Sequence, residues 1–282
     1  MAMDIPLVSI GFAGCSLEDM LGGISKTKSR SVCPCAVDGV SLQIAPEIMG
    51  TDEWYSVRSS FEAHGLRFYG LEGHCDISDG GNLEKIRKRM AFTRFMGGRY
   101  IDLNAGPRSK SGREGFFRNV AKVCEYAEEF DLLVCLETHG DLIGSGKEAC
   151  GMLDRAGCGR LQLCYDAANV YFYSRGSIDP VEDLRYALDC TGLIHFKGVA
   201  HDPGQGLWSF PAMKDSPFSY EDFFEVLESN RYGGMVALEV EQMYSYTEQA
   251  GFTRGPGWTE DRIVAAYDFE IDYLSRRLSW MH

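Results

Sequence analysis

Basic residues are scarce: 28 Lys and Arg stand against 41 Asp and Glu in 282 residues, a formal net charge of −13. A field of that sign repels phosphodiester backbones and anionic membranes, so nucleic acid and membrane surfaces are set aside as partners. No run approaches the ~18 apolar residues needed to span a bilayer. Neither GxGxxG nor GxxxxGK[ST] occurs, which removes the phosphate-cradling loops usual in open doubly wound sheets. Histidine is sparse as well, with six in the chain, His282 among them. No linker or composition shift interrupts the sequence, so one domain over residues 1–282 is expected. What is present suits a globular chain: hydrophobic content is 45% and charged content 24%, enough for a sizeable core.

The ten cysteines are scattered. Cys135 and Cys164 fall inside apolar runs, where a thiol acts as a small hydrophobe, and this usage fits a reducing compartment. Cys33-Pro34-Cys35 lacks the second pair that would make it a metal or redox motif. Phe12-Ala13-Gly14-Cys15 loosely resembles a lipoprotein cleavage site, but Asp4 stands where a basic leader belongs. Met1–Cys15 is therefore read as holding the first strand, and a cytoplasmic location is expected.

Short apolar runs recur at Val8–Ala13, Val40–Ala45, Leu66–Leu71, Tyr100–Leu103, Leu132–Leu136, Leu161–Tyr165, Leu193–Phe196 and Met235–Val240. Their starts lie about thirty residues apart, one strand-plus-helix unit each. Most are continuous rather than alternating, as in parallel strands covered on both faces. Between them Leu83–Met96 and Arg113–Phe130 show helical spacing, the second with Phe117, Val120, Ala121, Cys124 and Ala127 on one stripe. Ser219 and Thr259 are placed as N-caps, the latter opening a helix faced by Ile263, Tyr267, Ile271, Leu274 and Leu278. Eight such units predict a single α/β chain closed as a (β/α)₈ barrel. Three long loops after strands, Gly106–Glu114, Val199–Pro217 and Gln242–Gly257, are expected on its functional side.

The chemistry lies where the strands stop being apolar. Leu136-Glu137-Thr138-His139-Gly140, Tyr165-Asp166-Ala167-Ala168-Asn169, Ile194-His195-Phe196-Lys197 and Leu238-Glu239-Val240-Glu241 each put an ionisable residue at the end of a core strand. One strand-end Glu is commonly a solvated rim group, and a lone His195 is commonly a satisfied core histidine. Four consecutive strands ending this way are harder to explain without a ligand. Three carboxylates converging on one mouth repel, and a divalent cation with one added imidazole resolves that repulsion. Glu137, Asp166, His195 and Glu239 thus suit Mn²⁺, with Mg²⁺, Co²⁺ or Zn²⁺ as alternatives. Glu239 and Glu241 share a strand face, so Glu241 is the competitor for the last ligand position.

These four segments resemble the LExHG, DxxN/H, vHxKD and GYxGxxxxExE elements of the xylose isomerase-like barrels, the sugar phosphate isomerase/epimerase superfamily. The last of them takes in Tyr232-Gly233-Gly234. The resemblance covers the C-terminal two-thirds, and the first hundred residues match mainly in strand rhythm. It implies the same four metal ligands, with Glu137 and Glu239 as the catalytic proton-transfer pair. Gly198 stands where the family often has Asp, and Asn169 where some epimerases carry His. The expected activity is that of a sugar isomerase or epimerase acting on a ketose or keto-polyol through an enediolate. His74, Asn104, His139, Asn169 and Lys197 are the expected substrate contacts. Trp54, Trp208, Phe210 and Trp258 are candidate apolar walls, and Arg108, Lys110 and Arg113 give no clear phosphate grip. A lyase acting on keto-inositols or 3-keto-glycosides is the runner-up. An endonuclease IV-like phosphodiesterase would need more histidines and less negative charge, and a barrel with a decayed site would not keep these ligands. Whether the chain forms a homo-oligomer stays open.

Overall fold

Apolar strands flanked by amphipathic helices can bury both faces of a parallel sheet only by wrapping it, and the chain does this. The computed structural model describes residues 4–281; Met1–Met3 and His282, which the one-domain expectation includes, lie outside the described residues. The barrel strands are β1 (Leu7–Val8), β2 (Ser31–Cys33), β3 in two pieces (Arg67–Phe68 and Leu71–Asp76), β4 (Tyr100–Asn104), β5 (Leu133–Glu137), β6 (Leu161–Asp166), β7 (Thr191–Phe196) and β8 (Met235–Leu238). All neighbours pair in parallel, and Leu7 opposite Leu238 closes β8 onto β1. The first piece of β3 pairs with β2 and the second with β4, while a Cys35–Glu72 bridge spans the break. The (β/α)₈ barrel is therefore observed, with its third strand interrupted.

That interruption falls at Tyr69-Gly70. A Cβ on Gly70 would lie 2.3 Å from the Tyr100 ring, so only glycine lets Tyr100 pack there. Two strand positions also differ from expectation. The second barrel strand is Ser31–Cys33, not Val40–Ala45. Val40 and Leu42 are exposed, and Ser41–Leu42 pairs antiparallel with Ala36–Val37 as a hairpin beside the barrel mouth. Gln43 holds this hairpin down, donating to the Ser9 and Phe12 carbonyls and accepting from the Cys35 N–H. β1 is shorter than expected because Ser9–Phe12 turns into a 3₁₀ segment.

The helices are α1 (Leu17–Ser25), α2 (Thr51–Ala63), α3 (Leu83–Phe95), α4 (Lys110–Phe130), α5 (Gly146–Ala156), α6 (Ala167–Tyr173), α7 (Pro180–Ala187), α8 (Tyr220–Ser229) and α9 (Glu260–Arg277). None of the described helices is long and apolar enough to cross a membrane. Ser219 and Thr259 cap α8 and α9 through their side chains, as the sequence indicates. The loop expected at Gly106–Glu114 ends earlier, because Ser109 caps α4 from the Gly112 N–H. The inner stripe of α4 is also turned: Phe116, Val120, Val123 and Ala127 are buried, whereas Ala121 is exposed. Cys124 of this helix is paired with Cys158 in a disulfide, a pairing the reducing-compartment reading did not foresee. Cys33 and Cys35 are fully buried, and burial pushes both thiols up, which leaves them protonated and inert.

The loops after β7 and β8 are ordered as one four-stranded antiparallel sheet over the mouth. Its strands run Ala200–Asp202, Leu207–Ser209, Tyr244–Thr247 and Gly251–Arg254 in spatial order. Phe172 packs edge-on against Trp208 and Tyr246 beneath it. Both loops are also tied to α9, where the buried Glu270 accepts from the Met213 N–H at 3.1 Å and the Gln242 amide at 3.3 Å. Burial pushes the Glu270 carboxyl up to about 7. A carboxyl raised by folding favours the protonated form, so its stability contribution falls as pH climbs from the unfolded value through the folded one. Glu270→Gln, which keeps the accepting oxygen, is expected to be more stable than wild type by on the order of 2–3 kcal/mol near pH ~8, with the gap closing near pH ~5. Thermal melts at the two pH values check this, and an equal gap at both would remove the explanation.

Candidate metal centre and active site

Strand residues two apart share a face, so the polar residues at the strand ends enter one mouth. Register does the rest: Asp166 lies opposite His195, and Glu72 opposite Asp102. Glu137, Asp166, His195 and Glu239 come together with one donor atom from each, all within 4.8 Å of one another, and all four are buried. His195 Nδ1 sits 3.1 Å from Glu137 Oε1 and 3.6 Å from Glu239 Oε1. Asp166 is held by its neighbours: its Oδ1 accepts the Asn169 N–H that opens α6, and Thr138 clasps its backbone from β5. Asp166 Oδ2 is buried with no hydrogen bond and faces the Lys197 ammonium at 3.2 Å. Three carboxylate donors and one imidazole fit a hard divalent cation.

Lys197 supplies the fixed positive charge. Its Nζ lies 2.8 Å from Glu239 Oε2, 3.2 Å from Asp166 Oδ2 and 3.3 Å from Glu241 Oε2, in a nearly sealed position. These carboxylates push the lysine well above its ordinary value despite burial. Burial alone would raise Glu239, but Lys197 and His195 outweigh it and bring the carboxyl down to about 2. Glu137 and Asp166 go the other way, raised by burial. Glu241 is likewise raised by burial, to about 7, against the pull of Lys197. His139 is lowered to about 3 by burial, with His74 and Lys197 adding to the effect.

A cavity of about 810 Å³ opens over this centre, lined by Glu137, Glu239, Glu241 and Lys197 together with His74, Asn104 and His139. Asp166 and His195 are fully buried and do not line it. Asn169 is buried beside Asp166 and is not among the residues lining the cavity. The walls differ from expectation as well. Trp54 packs on Phe92 and Phe95 away from the mouth, and Trp208 and Phe210 sit in the lid core. Tyr244, Phe252, Val8, Ile10 and Val40 form the apolar lining. Arg108 is paired with Glu148, and Lys110 with Glu114, outside the cavity.

Sequence reasoning missed Asp141, whose carboxylate organises the loop after β5 by accepting from the Gly106 and Ile143 N–H groups. It also passed over Glu72 and Asp102, which are almost wholly buried. The signal was partial: Asp102 stands between Ile101 and Leu103, whereas Glu72 lies in a strand that also carries His74 and Asp76.

A closed parallel barrel whose C-terminal mouth gathers carboxylates and imidazoles is the architecture in which (β/α)₈ enzymes place their sites. The family model of the xylose isomerase-like TIM barrel matches residues 38–262, and the chain belongs to that family. No curated protein matches the sequence. Among solved structures, a xylose isomerase-like TIM-barrel protein from Mycobacterium smegmatis in complex with magnesium is 14% identical with a TM-score of 0.74, over 99% of this chain and 97% of that one. D-Allulose 3-epimerase from Methylomonas sp. is 15% identical with a TM-score of 0.70, over 98% of each chain. A probable 3-DHS dehydratase involved in petrobactin synthesis from Bacillus anthracis is 14% identical with a TM-score of 0.69, over 97% and 99%. At these identities the likeness is one of fold.

Proposed function

We propose that the chain, acting as one barrel domain, is a divalent-metal-dependent sugar isomerase or epimerase that moves a proton on the carbon beside a carbonyl. The carrying observation is that Glu137 and Glu239 both line the cavity while flanking the same His195 nitrogen. The metal, held by Glu137, Asp166, His195 and Glu239, would polarise the substrate oxygens and stabilise charge developing on them. Glu137 and Glu239, from strands on different sides of the mouth, serve as base and acid for the carbon between them. Lys197 and His139 offer hydrogen bonds to the remaining hydroxyls, and Tyr244 and Phe252 exclude water above the ring or chain.

The lining also favours a neutral substrate. Asp38, Glu72, Asp76, Glu137, Asp141, Glu239 and Glu241 all belong to the cavity lining, with Lys197 as its lysine and no arginine. A phosphate or carboxylate group would meet that field unfavourably, so an unphosphorylated ketose or keto-polyol is the expected class, with Mn²⁺ as the first metal to try. A lyase or dehydratase reading is supported by Lys197, a cationic residue in the cavity lining that would offer a departing β-oxygen a hydrogen bond.

The test is proton NMR in D₂O on a panel of neutral ketoses, keto-inositols and keto-glycosides with metal-loaded protein. Deuterium should enter a single carbon next to the carbonyl, and both the exchange and the bound ion should vanish in His195→Ala and Asp166→Ala. Retention of the ion in both variants would sink the assignment of the ligands. Exchange that persists in chelator-treated protein would sink the metal's role.

A further inference from the structure

We infer that Arg89 is a positioning residue for the mouth: it staples both feet of the Ala36–Leu42 hairpin to α3 and so fixes the wall against which a substrate is held. The inference rests on the function proposed above only for its kinetic readout. Arg89 belongs to the inward stripe of α3 with Ile86 and Met90, and all three are fully buried. An arginine in that position needs its charge paired and its five N–H groups satisfied. Nε and Nη2 grip the Glu47 carboxylate at 3.1 and 2.7 Å, and Nη2 also donates to Asp38 Oδ1 at 2.7 Å. Nη1 donates to the carbonyls of Ala36 at 2.7 Å and Gly73 at 3.2 Å.

These acceptors come from both ends of one hairpin and from the barrel. Ala36 and Asp38 stand on its entering side, Glu47 lies beyond its exit, and Gly73 belongs to β3. Val37, Asp38, Gly39 and Val40 line the cavity, so what holds the feet also sets the place of this wall. Asp38 serves the staple rather than a substrate, because Lys85 holds its Oδ2 at 2.7 Å while Arg89 holds its Oδ1. The hairpin pairs only two residues with two, too short a ladder to keep its position unaided. Gln43 pins one strand from inside, and Arg89 closes the loop from α3. A lysine cannot take over, since a point charge cannot fork a carboxylate and reach carbonyls of two segments at once.

Amide hydrogen exchange on the full chain tests the staple. The Val40 and Gln43 N–H groups, which donate to the Val37 and Cys35 carbonyls, report on the hairpin. They should exchange about tenfold faster in Glu47→Gln and in Asp38→Asn, the factor for weakening one charge-assisted hydrogen bond. Arg89→Lys should accelerate them further, while amides of α5 and α8 keep their wild-type rates in all three. The two carboxylate variants lie at partly exposed sites and carry the test if Arg89→Lys does not fold. With whichever panel ketose exchanges deuterium fastest, Glu47→Gln should raise KM by about tenfold at unchanged kcat. Unaltered hairpin exchange in both carboxylate variants would overturn the staple. Acceleration spread equally over α5 and α8 would do so too, as it marks lost overall stability rather than lost position. Faster hairpin exchange with KM unchanged would overturn the positioning role. Were no panel ketose to exchange, the proposed function would fail while hydrogen exchange still decided the staple.

Discussion

Glu137→Gln and Glu239→Gln should each lower turnover by about 10²–10⁴-fold, the range for losing a positioned proton-transfer group. Both substitutions keep an oxygen able to contact a cation, so ion content must be measured alongside kcat. The two variants should not behave alike. If the glutamates address opposite faces of one carbon, each variant should wash deuterium into one epimer and fail with the other. That asymmetry separates proton transfer from ligation: His195 touches both glutamates through one nitrogen, so a purely structural role would depress both exchange directions together. Equal loss of exchange with both epimers, accompanied by full loss of the ion, would leave the glutamates as ligands only.

Lys197→Met should destabilise metal-free protein by about 3–5 kcal/mol, the range for breaking a buried ion pair from one side. The lysine is only 5% exposed and stands within ion-pair distance of Asp166, Glu239 and Glu241. Removing it takes the ammonium from all three carboxylates, leaving the His195 imidazole beside Glu239, and methionine brings no charge in its place. Added Mn²⁺ should restore much of the loss, because the cation then takes over the balancing of Asp166 and Glu239. Urea titrations of both proteins, with and without Mn²⁺, measure the effect. A small loss unaffected by metal would mean that Lys197 does not serve as the counter-charge of this cluster.

The later strands were legible because their apolar runs are long and end abruptly in an ionisable residue, as at Leu136-Glu137 and Tyr165-Asp166. β2 was not, since Ser31-Val32-Cys33 is three residues ending at a proline, while the more apolar-looking Val40–Ala45 forms an exposed hairpin held by Gln43. The four ligand candidates could be read because each sits at a strand terminus. Glu72 and Asp102 escaped the same reading because they lie within their strands, and their meaning depends on β3–β4 register, which the sequence does not state. Asn169, three residues after Asp166, is part of a helix start, so its backbone N–H serves the ligand while the residue is buried and absent from the cavity lining.

The sheet over the mouth couples two segments that are far apart in sequence. Trp208 pairs with Tyr246 and Ser209 with Ser245, so neither segment can swing outward without tearing hydrogen bonds from the other. Entry and exit of a substrate would then favour the part of the rim outside this sheet, where the Ala36–Leu42 hairpin leaves Val40 and Leu42 facing solvent. The same coupling constrains descent. An insertion in one covered loop must be answered in the other or the ladder slips, whereas the loops after β2 and β4 lie outside this ladder. Divergence in substrate preference among relatives sharing this cover should therefore be concentrated in the loops outside it.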